Sequence, residues 1–343
     1  MPTRIAIIGC GAIGGITAAF IAKAGEDITL VCKHQQTASL CQKHGLHLSG
    51  VCGEQTVPVH AVQSIEELTG VYDICLIATK AYDMPDCARR MLTHLHSRSL
   101  VVSMQNGICI ETLSSIVGSQ RAVGCVIGFG GTLLGKNQMQ MTSRGDFIIG
   151  QPGKGLINQM QELQRILSLV TGTHISDHIF EELYSKMIVN ACITSRGAIC
   201  GLLLGQMMNR GDARRIFLAI IREAFQVSQK LGLHLPPYAG KLDYAKLVSG
   251  SSPLDQMRRH ITIWVVGVKY RHLKSSSLQS LERGLKTEVD CFNGYIAQKG
   301  KEVGVPCPVN TRLVHMIHEI EQGKRSIDVH NLSDPELIQA VQA

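Results

Sequence analysis

Chemistry first becomes legible in a run of glycines near residue 10. The apolar stretch Arg4–Ile8 leads straight into Gly9-Cys10-Gly11-Ala12-Ile13-Gly14, and helical spacing follows over residues 12–24. In a strand–turn–helix of this kind the first glycine permits the tight turn. The second lets backbone approach a pyrophosphate, and the third lets helix and strand pack closely. Amides at the helix start, around Ala12 and Ile13, then offer free N–H groups and partial positive charge to an anion. The same glycines also suit a tight turn without a ligand; the flanking strand and helix favour dinucleotide binding. The end of the second strand selects the cofactor. A site for NAD usually has Asp or Glu there, accepting a hydrogen bond from the ribose 2′-OH. This chain has Lys33 and His34, and no acid follows that strand before Glu54. A cation at Lys33 favours the 2′-phosphate of NADP, by roughly 1.5–3 kcal/mol or about 10- to 150-fold. Lys80 and Asn106 end the next two strands, at the carboxyl edge where α/β sheets bind ligands. Lys80 suits a phosphate, and Asn106 the nicotinamide ribose or the substrate; the plainer readings are a solvated loop lysine and a turn asparagine.

A second set lies further along. Lys186, Asn190 and Thr194 recur at i, i+4 and i+8 within an apolar helical pattern, so they share one face. Polar groups in such a helix are costly unless paired, which points to a cleft lined by all three; the plainer reading is a capped, partly exposed stripe. Ser276 and Glu288 fall on roughly one face if residues 276–299 form a single helix, although a serine-rich start is ordinarily an N-cap. His315 and His318 lack a third partner and read as a surface pair, so no metal site is expected. Cys10 and Cys291 read as space-filling thiols.

The elements that must position these residues divide into two patterns. Up to about residue 178, short β-rich runs (4–8, 27–32, 72–78, 100–104, 122–127) alternate with helical spacing, with a further helix around residues 89–95. That predicts a Rossmann-type α/β domain with a mainly parallel sheet covered on both faces. From 179 to 343 the spacing predicts an all-α domain with helices over 181–204, 213–231, 276–299 and 310–321. Residues 236–272 read as a loop-rich or extended insertion, and the tail after Ser326 as loosely held. The 343 residues are 45% hydrophobic and 18% charged, which excludes a disordered chain. Twelve scattered cysteines with no CxxC fit a reducing cytoplasm rather than a disulfide scaffold. A net charge of +7 is spread among acids, with no stripe of the kind nucleic-acid binding requires. The apolar start carries four glycines, which argues against a signal peptide, and no run suits a membrane span.

Seven segments, taken in order, carry a family resemblance: GCGAIG at 9–14, TKAYD at 79–83, QNGI at 105–108, KMIVNACI at 186–193, SSSLQ at 275–279, KTEVDCFNGYI at 286–296 and VPCPVNTRL at 305–313. Over about nine-tenths of its length the chain resembles the ketopantoate reductases (2-dehydropantoate 2-reductases). The resemblance implies NADPH-dependent reduction of a 2-oxo acid, ketopantoate, to pantoate, in pantothenate and coenzyme A biosynthesis. By motif match Lys186 falls on the catalytic lysine, Glu288 on its supporting glutamate, Ser276 on the serine that holds substrate and Asn190 on a substrate-contacting asparagine. Asn106 matches the asparagine beside the nicotinamide, Lys33 the usual 2′-phosphate arginine, and Lys80 a second cofactor-side lysine. Thr194-Ser195-Arg196 replaces Asn-Pro, and Leu204 and Leu273 replace polar residues, so the identity of the oxo acid is the open point. A reductase of another branched 2-oxo acid, or an NADP-binding regulatory protein without turnover, are the alternatives. The expected partner is a small-molecule 2-oxo acid, with a homodimer as one candidate assembly and no nucleic acid or membrane.

Overall fold

The structure, a computed structural model, describes residues 2–153, 155–238, 240, 242–250 and 252–342, apart from the side chains of Val266 and Lys269. In chain order it contains β1 (Arg4–Ile8), α1 (Ala12–Lys23), β2 (Asp27–Val31), α2 (Gln35–His44), β3 (Leu46–Gly50), β4 (Gln55–Val57), β5 (His60–Val62), β6 (Tyr72–Ile77), α3 (Met84–Met91), β7 (Leu95–Ser103), α4 (Ile110–Val117), β8 (Ala122–Ile127), β9 (Gly130–Gly135), β10 (Gln138–Ser143), β11 (Phe147–Gly150), α5 (Ile157–Ser168) and β12 (Thr173–Ile175). Then come α6 (Ile179–Cys200), α7 (Leu204–Asn209), α8 (Gly211–Lys230), α9 (Tyr244–Val248), α10 (Pro253–Lys269), α11 (Ser276–Glu282), α12 (Asn293–Val303), α13 (Pro308–Glu321) and α14 (Pro335–Gln342). The chain divides into two compact units, Met1–Leu183 and Tyr184–Ala343, so the division falls inside α6.

The first unit is built on an eight-stranded sheet of order β12-β11-β8-β7-β6-β1-β2-β5. From β8 to β5 every pairing is parallel; β11 runs antiparallel to β8 and carries β12 with it. Ile5–Ile8 and all six residues of β8 are buried, the continuous apolar run expected of strands covered on both faces. A smaller sheet of order β4-β3-β10-β9 was not anticipated by the sequence reading. It packs against α1. A Cβ on Gly15 would lie 2.3 Å from Met139 Cε, and one on Gly131 2.9 Å from Ile16 Cδ1. This second cover explains why α1 buries Gly14 through Ala19 without a polar face.

The second unit is helical, with three corrections to the sequence reading. Residues 276–299 are not one helix. Gly284, at φ +67°, ends α11, with Gly284 N–H bonded to Leu281 C=O and Leu285 N–H to Ser280 C=O, both at 2.9 Å. Ser276 and Glu288 therefore belong to separate segments and share no helix face. The 236–272 stretch is largely α9 and the 17-residue α10 rather than loop. The tail after Ser326 is anchored. Leu332 and Leu337 are buried, and Asn331 donates to Ile199 C=O at 2.8 Å. Asp334 accepts from Arg312 through Nε at 3.0 Å and Nη2 at 2.8 Å, and from Arg325 Nη2 at 3.2 Å. A buried carboxylate also organises the unit: Glu223 on α8 accepts the N–H groups of Val309 (2.8 Å) and Asn310 (3.0 Å) at the start of α13. Burial raises its pKa, and these donors oppose that rise.

The tail anchor has a pH signature. The Arg312 guanidinium holds the Asp334 carboxyl at about 2, below its ordinary 3.8. A depressed carboxylate stabilises fully above its unfolded pKa, so this contribution is complete above about pH 4 and disappears as pH falls through about 2. Asp334→Asn is expected to cost about 1–3 kcal/mol at neutral pH, read from the urea midpoint, and to remove part of the acid-side loss. An unchanged midpoint contradicts the anchor.

Candidate functional site

In the first unit the glycine turn has the geometry its residue types imply. Gly9 has φ +113°, and a Cβ there would come 2.9 Å from Ala78 C=O. Gly14 is tighter: a Cβ would lie 2.0 Å from Gly9 C=O. Gly11 differs from both, since nothing lies within 4 Å of where its Cβ would be. Protein packing therefore does not require glycine at 11; the open space fits a ligand that approaches the backbone. The first bond of α1 runs from Gly15 N–H to Gly11 C=O at 2.8 Å, so the amides of Ala12, Ile13 and Gly14 precede the intrahelical ladder. The first turn holds no acidic side chain to repel an anion. These features fit a dinucleotide pyrophosphate.

The order β7-β6-β1-β2 puts Asn106, Lys80, the glycine turn and Lys33 beyond the carboxyl ends of four adjacent strands. Lys33 is exposed, and its Nζ lies 3.4 Å from Asp83 Oδ2. The structure thus joins Lys33 to the 79–83 segment, which the sequence reading had treated separately. Lys80 and Asn106 are both half-buried. Gln105, missed by the sequence reading, fixes both loops. Its Nε2 donates to Ile77 C=O (2.7 Å) and Thr79 C=O (3.2 Å), while its Oε1 accepts from Ser103 Oγ (2.7 Å). A buried amide inside the QNG turn was the available signal.

In the second unit Lys186 and Asn190 are half-buried on α6, with Met187, Ile188, Ala191 and Cys192 fully buried between and beyond them. Asn190 Nδ2 is sealed from solvent with no hydrogen-bond partner among the described residues. Thr194 donates its hydroxyl proton to Asn190 C=O at 2.7 Å, leaving only acceptor capacity for a ligand. Ser195 Oγ and Arg196 Nε likewise bond carbonyls four residues back, so α6 runs unbroken through the segment that departs from the family motif. Arg196 is wholly buried against the Phe217 ring at 4.7 Å, and burial pulls its guanidinium down to about 10.

Neighbouring contacts hold these positions. Tyr184 OH donates to Ala224 C=O at 3.0 Å, Ser185 Oγ to Pro236 C=O at 3.0 Å, and the buried Tyr244 hydroxyl to Ser185 C=O. Tyr244 belongs to α9, so part of the 236–272 stretch fixes the residue before Lys186. Ser275, rather than Ser276, is the buried N-cap of α11; its Oγ accepts from Leu278 N–H (3.1 Å) and donates to Thr194 C=O (3.3 Å). Ser276 itself is exposed. Glu288 is half-buried, and the preceding Thr287 is held by Glu321 Oε1 through both N–H and hydroxyl at 2.7 Å. Leu204 N–H bonds Leu273 C=O at 3.0 Å, so the two departures from the family pattern are neighbours.

Two measurements test this geometry. Gly14→Ala is expected to destabilise by roughly 1–3 kcal/mol through forced separation of turn and helix, whereas Gly11→Ala leaves the Tm near wild type yet weakens dinucleotide binding. Equal thermal effects would contradict the assignment of the open space. Tyr244→Phe is expected to cost about 1 kcal/mol in denaturant midpoint.

Comparison with known proteins agrees across both units. The family model described as ketopantoate reductase PanE/ApbA matches residues 5–154, and the model of its C-terminal part matches residues 178–321. The chain is 26% identical over 322 residues to a 2-dehydropantoate 2-reductase of Archaeoglobus fulgidus, covering 93% of this chain and 98% of that one. It is 26% identical over 326 residues to one of Pyrococcus abyssi, covering 95% and 99%. Among solved structures, a PanE/ApbA family ketopantoate reductase from Ralstonia eutropha superposes with TM-score 0.80 at 25% identity, covering 94% and 99%. D-mandelate dehydrogenase with NADH and anilino(oxo)acetate shares the fold with TM-score 0.81 at 20% identity, covering 94% and 99%. With both parts of its length matched, the chain belongs to the ketopantoate reductase family and is an oxidoreductase acting on CH–OH.

Proposed function

We propose that this chain uses NADPH to reduce a 2-oxo acid to the 2-hydroxy acid, with ketopantoate as the first substrate to try and pantothenate synthesis in the cytoplasm as its setting. One observation carries the reading: Asn190 presents a buried, unpartnered amide donor one helical turn from Lys186. An unmet buried donor costs about 1–3 kcal/mol, which a bound oxygen acceptor would recover. A 2-oxo acid brings three such oxygens.

When bound, the dihydronicotinamide supplies a hydride. Charge then builds on the ketone oxygen, and the Lys186 ammonium stabilises that charge and donates its proton to it. Asn190 orients the substrate through its amide. Glu288 would act as the group that orients Lys186 or a substrate hydroxyl, and Ser276 would donate to the carboxylate. Thr194 supports Asn190 through its bond to the Asn190 carbonyl. In the first unit the amides ahead of α1 would hold the pyrophosphate. Lys80 would approach a phosphate, Asn106 the nicotinamide side, and Lys33 the 2′-phosphate after exchanging Asp83 for it.

A second reading keeps the chemistry and changes the acid. Leu204 and Leu273 together replace two polar positions of the family pattern, which favours a 2-oxo acid with a bulkier apolar group. A panel of branched and aryl 2-oxo acids separates the readings by kcat/KM.

Lys186→Ala is expected to lower turnover by at least about 10²-fold, followed through NADPH absorbance. Unchanged turnover removes Lys186 from the chemistry. Lys33→Asp is expected to weaken NADPH binding about 10- to 150-fold while affecting NADH far less. Equal losses would mean that Lys33 does not meet the 2′-phosphate.

A further inference from the structure

Three cysteines far apart in sequence meet behind the glycine turn. Cys10 lies between Gly9 and Gly11, Cys32 follows β2 directly, and Cys41 is on α2. Their Sγ atoms all lie within 4.8 Å of one another, with Cys10 and Cys41 at 3.7 Å. Backbone pairing creates the convergence: Gly9 N–H bonds Val31 C=O at 2.9 Å, and Cys32 N–H bonds Val62 C=O at 2.8 Å. Cys32 is 1% exposed and Cys41 0%, whereas Cys10 is half-exposed and opens the cluster to solvent.

These thiols do not behave as isolated packing groups. The three converging side-chain ligand atoms are all sulfur. Sulfur ligands select soft cations over Mg²⁺ or Ca²⁺. With metal–sulfur bonds of about 2.3 Å, three thiolates around one ion stand roughly 3.8–4.0 Å apart. The cluster needs less than about 1 Å of movement to reach that spacing.

We propose that Cys10, Cys32 and Cys41 form a three-thiolate site for a soft d¹⁰ cation such as Zn²⁺, and that filling it opposes anion binding at the adjoining glycine turn. Binding forms three sulfur–metal bonds and releases to solvent the protons that the three thiols carry; no electron transfer is involved. Three thiolates around a divalent ion carry a net charge of −1 behind the amides that face a pyrophosphate, and like charges repel. The site is independent of the functional reading above; only the antagonism rests on it.

The test uses the full, reduced protein titrated anaerobically with Cd²⁺, followed by thiolate-to-cadmium charge-transfer absorbance and reversed with Zn²⁺. The band is expected to saturate at one equivalent. Cys10→Ser and Cys41→Ser should each weaken binding more than about tenfold, and Cys75→Ser should leave it intact. Cys10 is half-exposed, so that variant remains informative if the buried Cys41→Ser variant does not fold. A band that fails to saturate, or that persists in Cys10→Ser, overturns the site. So does a reduced protein that ignores the metal but forms a Cys10–Cys41 disulfide in air. One equivalent of Zn²⁺ should weaken NADPH binding several-fold in wild type and not in Cys10→Ser; an unchanged NADPH affinity in the metal-loaded wild type overturns the antagonism alone. If metal-free protein binds no NADPH, the cofactor reading fails while the metal titration still decides the site.

Discussion

Desolvation of polar side chains on one buried helix is the constraint on which the functional account rests. Most residues of α6 from Leu183 to Cys200 are buried, and apolar packing alone would fill such a helix with aliphatic side chains. Lys186 and Asn190 interrupt it on one face. Their cost must be offset by partners, and the surroundings show how closely their backbone is held. Tyr244 and Tyr184 fix the turn that carries Lys186, while Thr194 and Ser275 fix the turn that carries Asn190. Asn190 Nδ2 nevertheless remains unpartnered. Restraint of the backbone combined with an unmet side-chain donor suits the ligand-holding role proposed for Asn190.

The first unit meets its constraint with space instead of polarity. Gly9 and Gly14 bring strand, turn and helix together so closely that a methyl group at either position collides with backbone. Gly11 leaves a gap on the outside of the same turn. The small sheet covering α1 gives the helix a second buried face, so its amide-bearing end is held from two sides. The cysteine cluster fills the space behind the turn. Its three sulfur atoms lie within 4.8 Å of one another, and Cys10 belongs to the turn itself.

The β1–α1–β2 segment was legible in the sequence because apolar runs and glycine spacing are local signals, and each glycine has a distinct steric reason. The Lys186–Asn190 face was legible from helical periodicity. Other features depended on contacts remote in sequence. β9 carries three glycines, and β4 and β5 are only three residues long, so the second sheet and the edge strand leave weak patterns. Gly284 alone breaks what otherwise reads as helix from 276 to 299, and a single glycine does not decide such a break. The tail is held by Asp334 pairing with Arg312 and Arg325, and no apolar pattern announces that. Spacing paired Ser276 with Glu288 only on a single-helix reading that Gly284 breaks, and the family resemblance supplied their roles. The structure adds Ser275, Glu321 and Tyr244, whose work is to hold their neighbours.

The most direct test of the central claim is single-turnover oxidation of bound NADPH by Lys186→Ala, measured with a 2-oxo acid in the presence and absence of small primary amines. If the Lys186 ammonium delivers the proton, the transient slows sharply and added alkylammonium restores part of the rate, more so as the amine better matches the lost side chain. A transient as fast as wild type without added amine would contradict the account.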